Sequence, residues 1–174
     1  MKVEIALQGF AELAALWQQA PELVQREMEA AAEESAAMIQ TAVVERTPQG
    51  VGAGSGLSGS ILAQPVTFFE GDVVSVVGTS STYAVPVELG TKPHFPWDKS
   101  LPFGLTPLVE WVEHKLGYTD EKAVSVAYAI AVTISRKGTE GKFMFRDGFK
   151  ASEPYIKQRF GRALAQIKQE LSAL

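Results

Sequence analysis

The sequence predicts an α+β fold: an antiparallel sheet packed by a long N-terminal helix and a C-terminal helix, with a helix pair inserted between them. Three observations predict it. An uninterrupted helical pattern fills residues 22–46, strand-like segments follow one another through tight turns from 61 onward, and an apolar stripe at helical spacing occupies the last twenty residues. With 174 residues, 46% of them hydrophobic, the chain reads as one domain (1–174) able to bury a core without metals or disulfides.

Residues 2–7 alternate as a short strand. Phe10, Leu13, Ala14 and Trp17 share one face of a helix over 10–18. Pro21 then stands where helices start. In the long helix, Val24, Met28, Ala31, Ser35, Ile39, Ala42 and Val43 follow spacings of three or four, and Ala30, Ala31, Ala32, Ala36 and Ala37 permit close approach of a sheet or helix. Thr47-Pro48 stops it. Residues 49–60, with five glycines and three serines, form a flexible loop. Residues 61–69 and 73–77 read as a hairpin, and the run Val73, Val74, Val76, Val77 predicts a strand covered on both faces. Residues 83–89 fit an edge strand containing Pro86 or a short helix ending at Gly90 equally well.

The loop 90–104 is rich in Pro and aromatics. Thr106-Pro107 opens a helix with a capping Thr and Pro at its first turn, and Gly117 ends it. A second helix runs from about 120 to 135 with Val126, Ile130 and Ile134 in register, so that 105–137 forms a helical hairpin. Phe143-Met144-Phe145 reads as short and extended. Ser152 is placed to cap the last helix, whose stripe is Ile156, Phe160, Leu164, Ile167 and Leu171.

Little in the chain points to catalysis. With no cysteine, thiol chemistry, disulfides and Cys-ligated zinc are excluded. Gly54, Gly56 and Gly59 spell GxGxxG, but after a helix and before strands, whereas a dinucleotide fingerprint follows a strand and opens a helix. Ser58 is not in a nucleophile elbow. His94 and His114 are twenty residues apart with no ligand pattern around them. His114 reads as a surface residue and His94 as a hydrogen-bond donor in its loop. The carboxylates Glu88, Asp98, Glu110 and Glu113 are scattered. No catalytic, metal or cofactor residue is assigned, and the protein is expected not to be an enzyme. The nearly apolar stretch 124–132 is too short to span a bilayer, and the N-terminus does not read as a secretory signal.

Charge is distributed unevenly. Residues 1–60 carry −5, 61–120 carry −4 and 121–174 carry +5, within a net −4. The basic tract Arg136, Lys137, Lys142, Arg146, Lys150, Lys157, Arg159, Arg162 and Lys168 is compatible with a module that contacts DNA phosphates. The acidic and basic parts are also suited to meet across a contact between copies.

Three passages carry a family resemblance. Thr47-Pro48, a glycine stretch and Leu57-x-x-Ser60-Ile61 resemble the P-x-x-T-G-x-L-x-x-S-I passage of phage neck proteins. Tyr83-Ala84-x-x-Val87-Glu88-x-Gly90-Thr91 is similar to their Y-A-x-x-V-E-x-G-T signature. Gly138-Thr139-x-Gly141 followed by Phe143-Met144-Phe145-Arg146 resembles the late segment before their C-terminal helix, with Asp147-Gly148 where Pro-Ala is usual. In this order over residues 20–174, they resemble the tail-completion or head–tail joining proteins of long-tailed bacteriophages, including minor tail protein Z-like chains.

The resemblance implies a structural virion protein without cofactor. It would form a ring, a hexamer by family habit, between the head completion or connector protein and the tail tube or terminator. DNA would pass through the lumen without specific binding. Tyr83, Glu88, Gly90, Thr91, Phe143 and Arg146 are its candidate contact residues. Phe95, Trp97 and Phe103 join them as aromatic anchors of the types enriched at interface hot spots.

Overall fold

A computed structural model of the chain describes residues 2–6, 21–50, 56–69, 72–99 and 103–172. The elements in order are β1 (Lys2–Ala6), α1 (Pro21–Arg46), α2 (Gly56–Gly59), β2 (Leu62–Ala63), β3 (Thr67–Phe69), β4 (Asp72–Gly78), α3 (Ala84–Leu89), β5 (Gly90–Thr91), α4 (Thr106–Leu116), α5 (Asp120–Lys137), β6 (Thr139–Glu140) and α6 (Met144–Leu171). The mixture of long helices and small antiparallel sheets is the predicted α+β class. The helix expected over 10–18 lies outside the described residues. The chain forms two compact units, one of Met1–Thr47, Ser60–Ser80 and Met144–Leu174, the other of Pro48–Gly59 and Ser81–Phe143.

In the first unit α1 runs for 26 residues without Gly or an internal Pro. Its acidic first turn and Arg46 in the last turn suit the helix dipole. The predicted stripe is the buried one: Val24, Met28, Ala31, Ser35, Ile39, Ala42 and Val43, joined by Ala32 and Ala36. The small side chains let α6 lie along α1 and let α1 lie on β4. Thr47 ends the helix by donating its hydroxyl to the Val43 carbonyl at 2.7 Å.

β4 is the centre of the sheet. β1 pairs with it antiparallel from Lys2↔Gly78 to Ala6↔Val74. β2 and β3 share its other edge, at Leu62↔Gly78 and Thr67↔Val74. One strand was expected over 61–69. Instead Pro65, which has no N–H to donate, separates two short strands, while the Gln64 N–H keeps its bond to the Val76 carbonyl at 2.8 Å. β4 was expected to be covered on both faces. Its burial alternates instead, with Val73, Ser75 and Val77 inside and the residues between them half-buried.

The last helix starts earlier than its local signals indicate. Residues 143–145 were expected to be extended and Ser152 to be an N-cap. α6 begins at Met144, and the Ser152 hydroxyl donates within it to the Gly148 carbonyl at 2.9 Å. Met144, Phe145 and Gly148 are all buried, and their burial carries the helix nearly three turns ahead of Pro154. Phe143, at a φ of 51°, makes the sharp turn that precedes it.

The second unit has a small core: Val112, Ala123 and Ala127, with Leu108, Val109, Tyr118, Val126 and Ile130 packed against it. α5 turns Ala123, Ala127 and Ala131 inward, with Val126, Ile130 and Ile134 partly buried beside them. α4 ends on left-handed Gly117, whose N–H reaches the Glu113 carbonyl at 3.1 Å. Thr106 is the first helical residue rather than the cap; its hydroxyl turns back to the Phe103 carbonyl at 2.6 Å. Residues 84–89 adopt the helical alternative.

β5 and β6 form a two-residue ribbon, Gly90↔Glu140 and Thr91↔Thr139. Gly90 has a φ of 77°, and a Cβ there would strike the Thr139 carbonyl oxygen. Gly90→Val is therefore expected to lower stability by about 2 kcal/mol or more, read from urea unfolding. Gly148→Val is expected to cost about 2 kcal/mol by the same measurement, because a Cβ would lie 2.7 Å from Val43 Cγ2 and 3.0 Å from the Val43 nitrogen.

Candidate assembly interface

Among the described residues, twelve large hydrophobic side chains are exposed, and ten of them belong to the second unit. An isolated exposed leucine needs no explanation, but a concentration of this kind does. It arises in two places.

The first is α3. Glu88, its one charged residue, is turned inward and only 2% exposed. Val85 at 49%, Leu89 at 63% and the preceding Tyr83 at 73% face solvent. The helix thus shows the reverse of the usual amphipathic arrangement. Among the described residues no buried side-chain polar atom lacks a hydrogen-bond partner, so burying Glu88 leaves nothing unsatisfied.

The second is the aromatic loop. Phe95 and Trp97 have ring centroids 6.3 Å apart, and Phe103 meets Trp97 edge-on at 5.8 Å. Tyr128 of α5 closes the cluster against Phe95 at 6.1 Å. These are favourable aromatic geometries. Backbone bonds hold the loop: Trp97 N–H to the Phe95 carbonyl at 2.8 Å and Asp98 N–H to the Gly104 carbonyl at 2.9 Å. Gly104 is required at its position because a Cβ would overlap the Trp97 indole. His94 is tied in as well, its Nδ1–H donating to the Lys92 carbonyl at 2.9 Å. All three aromatics remain exposed.

The candidate contact residues therefore divide. Tyr83, Phe95, Trp97 and Phe103 are displayed. Glu88 is not a surface residue; its carbonyl accepts the Phe143 N–H at 3.1 Å, so that both position the turn behind α3. Gly90 and Thr91 build the ribbon, where the Thr91 and Thr139 hydroxyls are 3.0 Å apart. Arg146 is exposed and paired with Asp147 at 2.8 Å. Sequence reasoning missed Tyr128, Val85 and Leu89. Their signal was present in the i, i+4 spacing of Val124 with Tyr128 and of Val85 with Leu89, both on outward faces.

The acidic N-terminal and basic C-terminal parts were expected to face one another across copies. Part of that charge is matched inside one chain. Arg159 forks onto Glu34, with Nε at 2.5 Å and Nη2 at 2.9 Å from the two carboxylate oxygens; Arg26 and Glu170, 3.2 Å apart, pair in the opposite sense. The Arg159 hydrogen bond holds the Glu34 carboxyl below its ordinary range.

No three His, Asp or Glu side chains converge to hold a metal among the described residues. His114 is exposed in the last turn of α4. No helix of the described residues is long and apolar enough to cross a membrane. Comparison with family models, with curated proteins and with solved structures finds no match for this chain.

Two outcomes follow. Gly104→Val should displace Trp97, lower stability by about 1–2 kcal/mol and shift the tryptophan emission to the red. Glu34→Gln should flatten the acid side of the stability profile. Because the folded carboxyl is depressed, its contribution is complete above the ordinary value of 4.5 and is lost as pH falls through the lower folded value. Urea midpoints between pH 3 and 6 test this, with convergence of wild type and variant expected at the acid end.

Proposed function

We propose that this chain is a structural subunit of a bacteriophage neck, of the tail-completion type, assembling as a ring between capsid connector and tail. The observation that carries the reading is the unequal display of apolar side chains: among the described residues, ten of the twelve exposed large hydrophobics stand on the second unit, whose buried hydrophobics are mostly alanines. Such a surface is suited to contact with protein rather than with water. The three motif passages, in the order that resembles phage neck proteins, supply the assembly to which that contact would belong. The role is mechanical and has no cofactor, and the place of action is the virion. DNA would pass through the lumen without being read.

The alternative, a DNA-contacting module using the basic C-terminal third, has less support. Arg146, Lys157 and Arg159 of that tract are engaged in ion pairs with Asp147, Glu153 and Glu34. A protein that tracks phosphates needs such cations available.

Deleting the gene from its phage should leave filled heads and finished tails unjoined, visible by electron microscopy, and the purified protein should restore joining in vitro. Normal virions from the deletion would overturn the reading. Steep salt-dependent binding of the pure protein to duplex DNA would favour the alternative. Trp97→Ala should weaken assembly by about 2 kcal/mol, measured by sedimentation and by joining yield, with little change in thermal stability.

A further inference from the structure

We propose that α3 docks onto the outward face of α1 in a second copy of this chain, in a head-to-tail contact. The inference rests on the assembly reading above and names the two faces that would meet. One face is the ridge Tyr83, Val85 and Leu89, from which the only charge of α3 is turned away. Beside it lies an open groove of about 340 Å³, with Pro86, Val87, Pro96 and Ile134 among its apolar walls and His94 and Lys142 at its rim.

The surroundings of the ridge are basic. The Lys142 N–H donates to the Val87 carbonyl at 2.8 Å, which places this lysine against α3. Lys92 directly follows β5. Arg136 and Lys137 end α5, just before Gly138 presses against the Thr91 carbonyl. Glu140 is the acid on this side, set against these four cations.

The outward face of α1 has the opposite character. Leu23, Ala30 and Ala37 recur at heptad spacing, which keeps them on one line of the helix, and Arg26, paired with Glu27 and Glu170, stands beside that line. By helical phase Glu27, Glu34 and Glu45 flank the strip on one side and Glu22, Glu29 and Glu33 on the other. Arg159 takes up Glu34 and Arg26 takes up Glu27. Among the described residues Glu33 and Glu45 form no ion pair, and neither do Lys92 and Lys142.

An apolar ridge with basic margins and an apolar strip with acidic margins are complementary in both shape class and sign. The two faces are different, so the contact is heterologous. A docked pair still has one free face of each kind, which is the condition for a ring. A second copy is the occupant because this same chain carries the matching surface.

The test uses two charge-reversed full-length proteins, Lys92→Glu/Lys142→Glu and Glu33→Lys/Glu45→Lys. Each alone should self-associate about tenfold or more weakly than wild type in sedimentation at low salt, with an unchanged circular dichroism melt. Mixed in equal amounts they should recover assembly, because each offers the face that the other has reversed, and the species formed should contain even numbers of copies. Leu89→Asp, which changes the ridge itself, should dissociate the assembly and not be rescued by either partner. Variants that assemble like wild type, or a folded mixture that fails to recover, overturn this pairing of faces and leave the assembly reading standing. A wild-type protein that stays monomeric at all concentrations overturns both.

Discussion

The first unit depends on how closely two helix backbones approach near Val43. There Gly148 of α6 lies against the side chain and backbone of α1, and the alanines of α1 provide room along the rest of the seam. Such packing is possible only where the side chains are small, and it leaves no space for water between the helices. The polar residues caught in the seam are dealt with locally. Ser35, Thr47 and Ser152 each return a hydroxyl to the carbonyl one turn behind, at 2.6, 2.7 and 2.9 Å, and Thr47 also meets the Met144 sulfur of α6 at 3.2 Å. The seam can therefore be apolar in effect although its composition is mixed.

The second unit uses its residues differently. Its buried hydrophobics among the described residues are mostly small, Ala84, Ala123, Ala127 and Ala131 beside Leu105 and Val112, and much of its large apolar inventory faces outward. Its rigidity comes from backbone geometry instead: a two-residue ribbon crossed by glycines, a left-handed cap at Gly117 and a loop held by main-chain bonds around Trp97. These fix the positions of exposed side chains without consuming them as core. A displayed aromatic that is already held in place loses little freedom when it is covered, which is favourable for binding.

Most of the fold was legible from the amino-acid order because it is written in local periodicity. The stripe of α1 from Val24 to Val43 follows the helical repeat and is buried; in the stripe of α6, Ile156, Phe160 and Ile167 are buried, while Leu164 and Leu171 are half-buried and Ala163 takes the inward place. Gly90 was legible as the stop of a short helix, where a turn needs positive φ, and its φ is 77°. What escaped depends on partners distant in the chain. Ser152-Glu153-Pro154 carries every local sign of a helix start, yet Met144 and Phe145 bury upstream of it and carry the helix through those residues. The inward turn of Glu88 was hidden for a similar reason: nothing in the sequence Ala-Val-Pro-Val-Glu-Leu says which side of a short helix will be covered. Charge totals by segment were misleading because Glu34 and Arg159 lie 125 residues apart and still pair.

The chain passes between its two units four times. One consequence concerns biosynthesis. α1 is made early, but the helix that covers its seam is made last of the described elements. Until α6 leaves the ribosome, α1 has only the sheet to cover its alanine and valine face, and the whole second unit must be translated in the interval. Nascent chains should therefore need protection from sticking to one another during that window, and the emergence of α6 should close it.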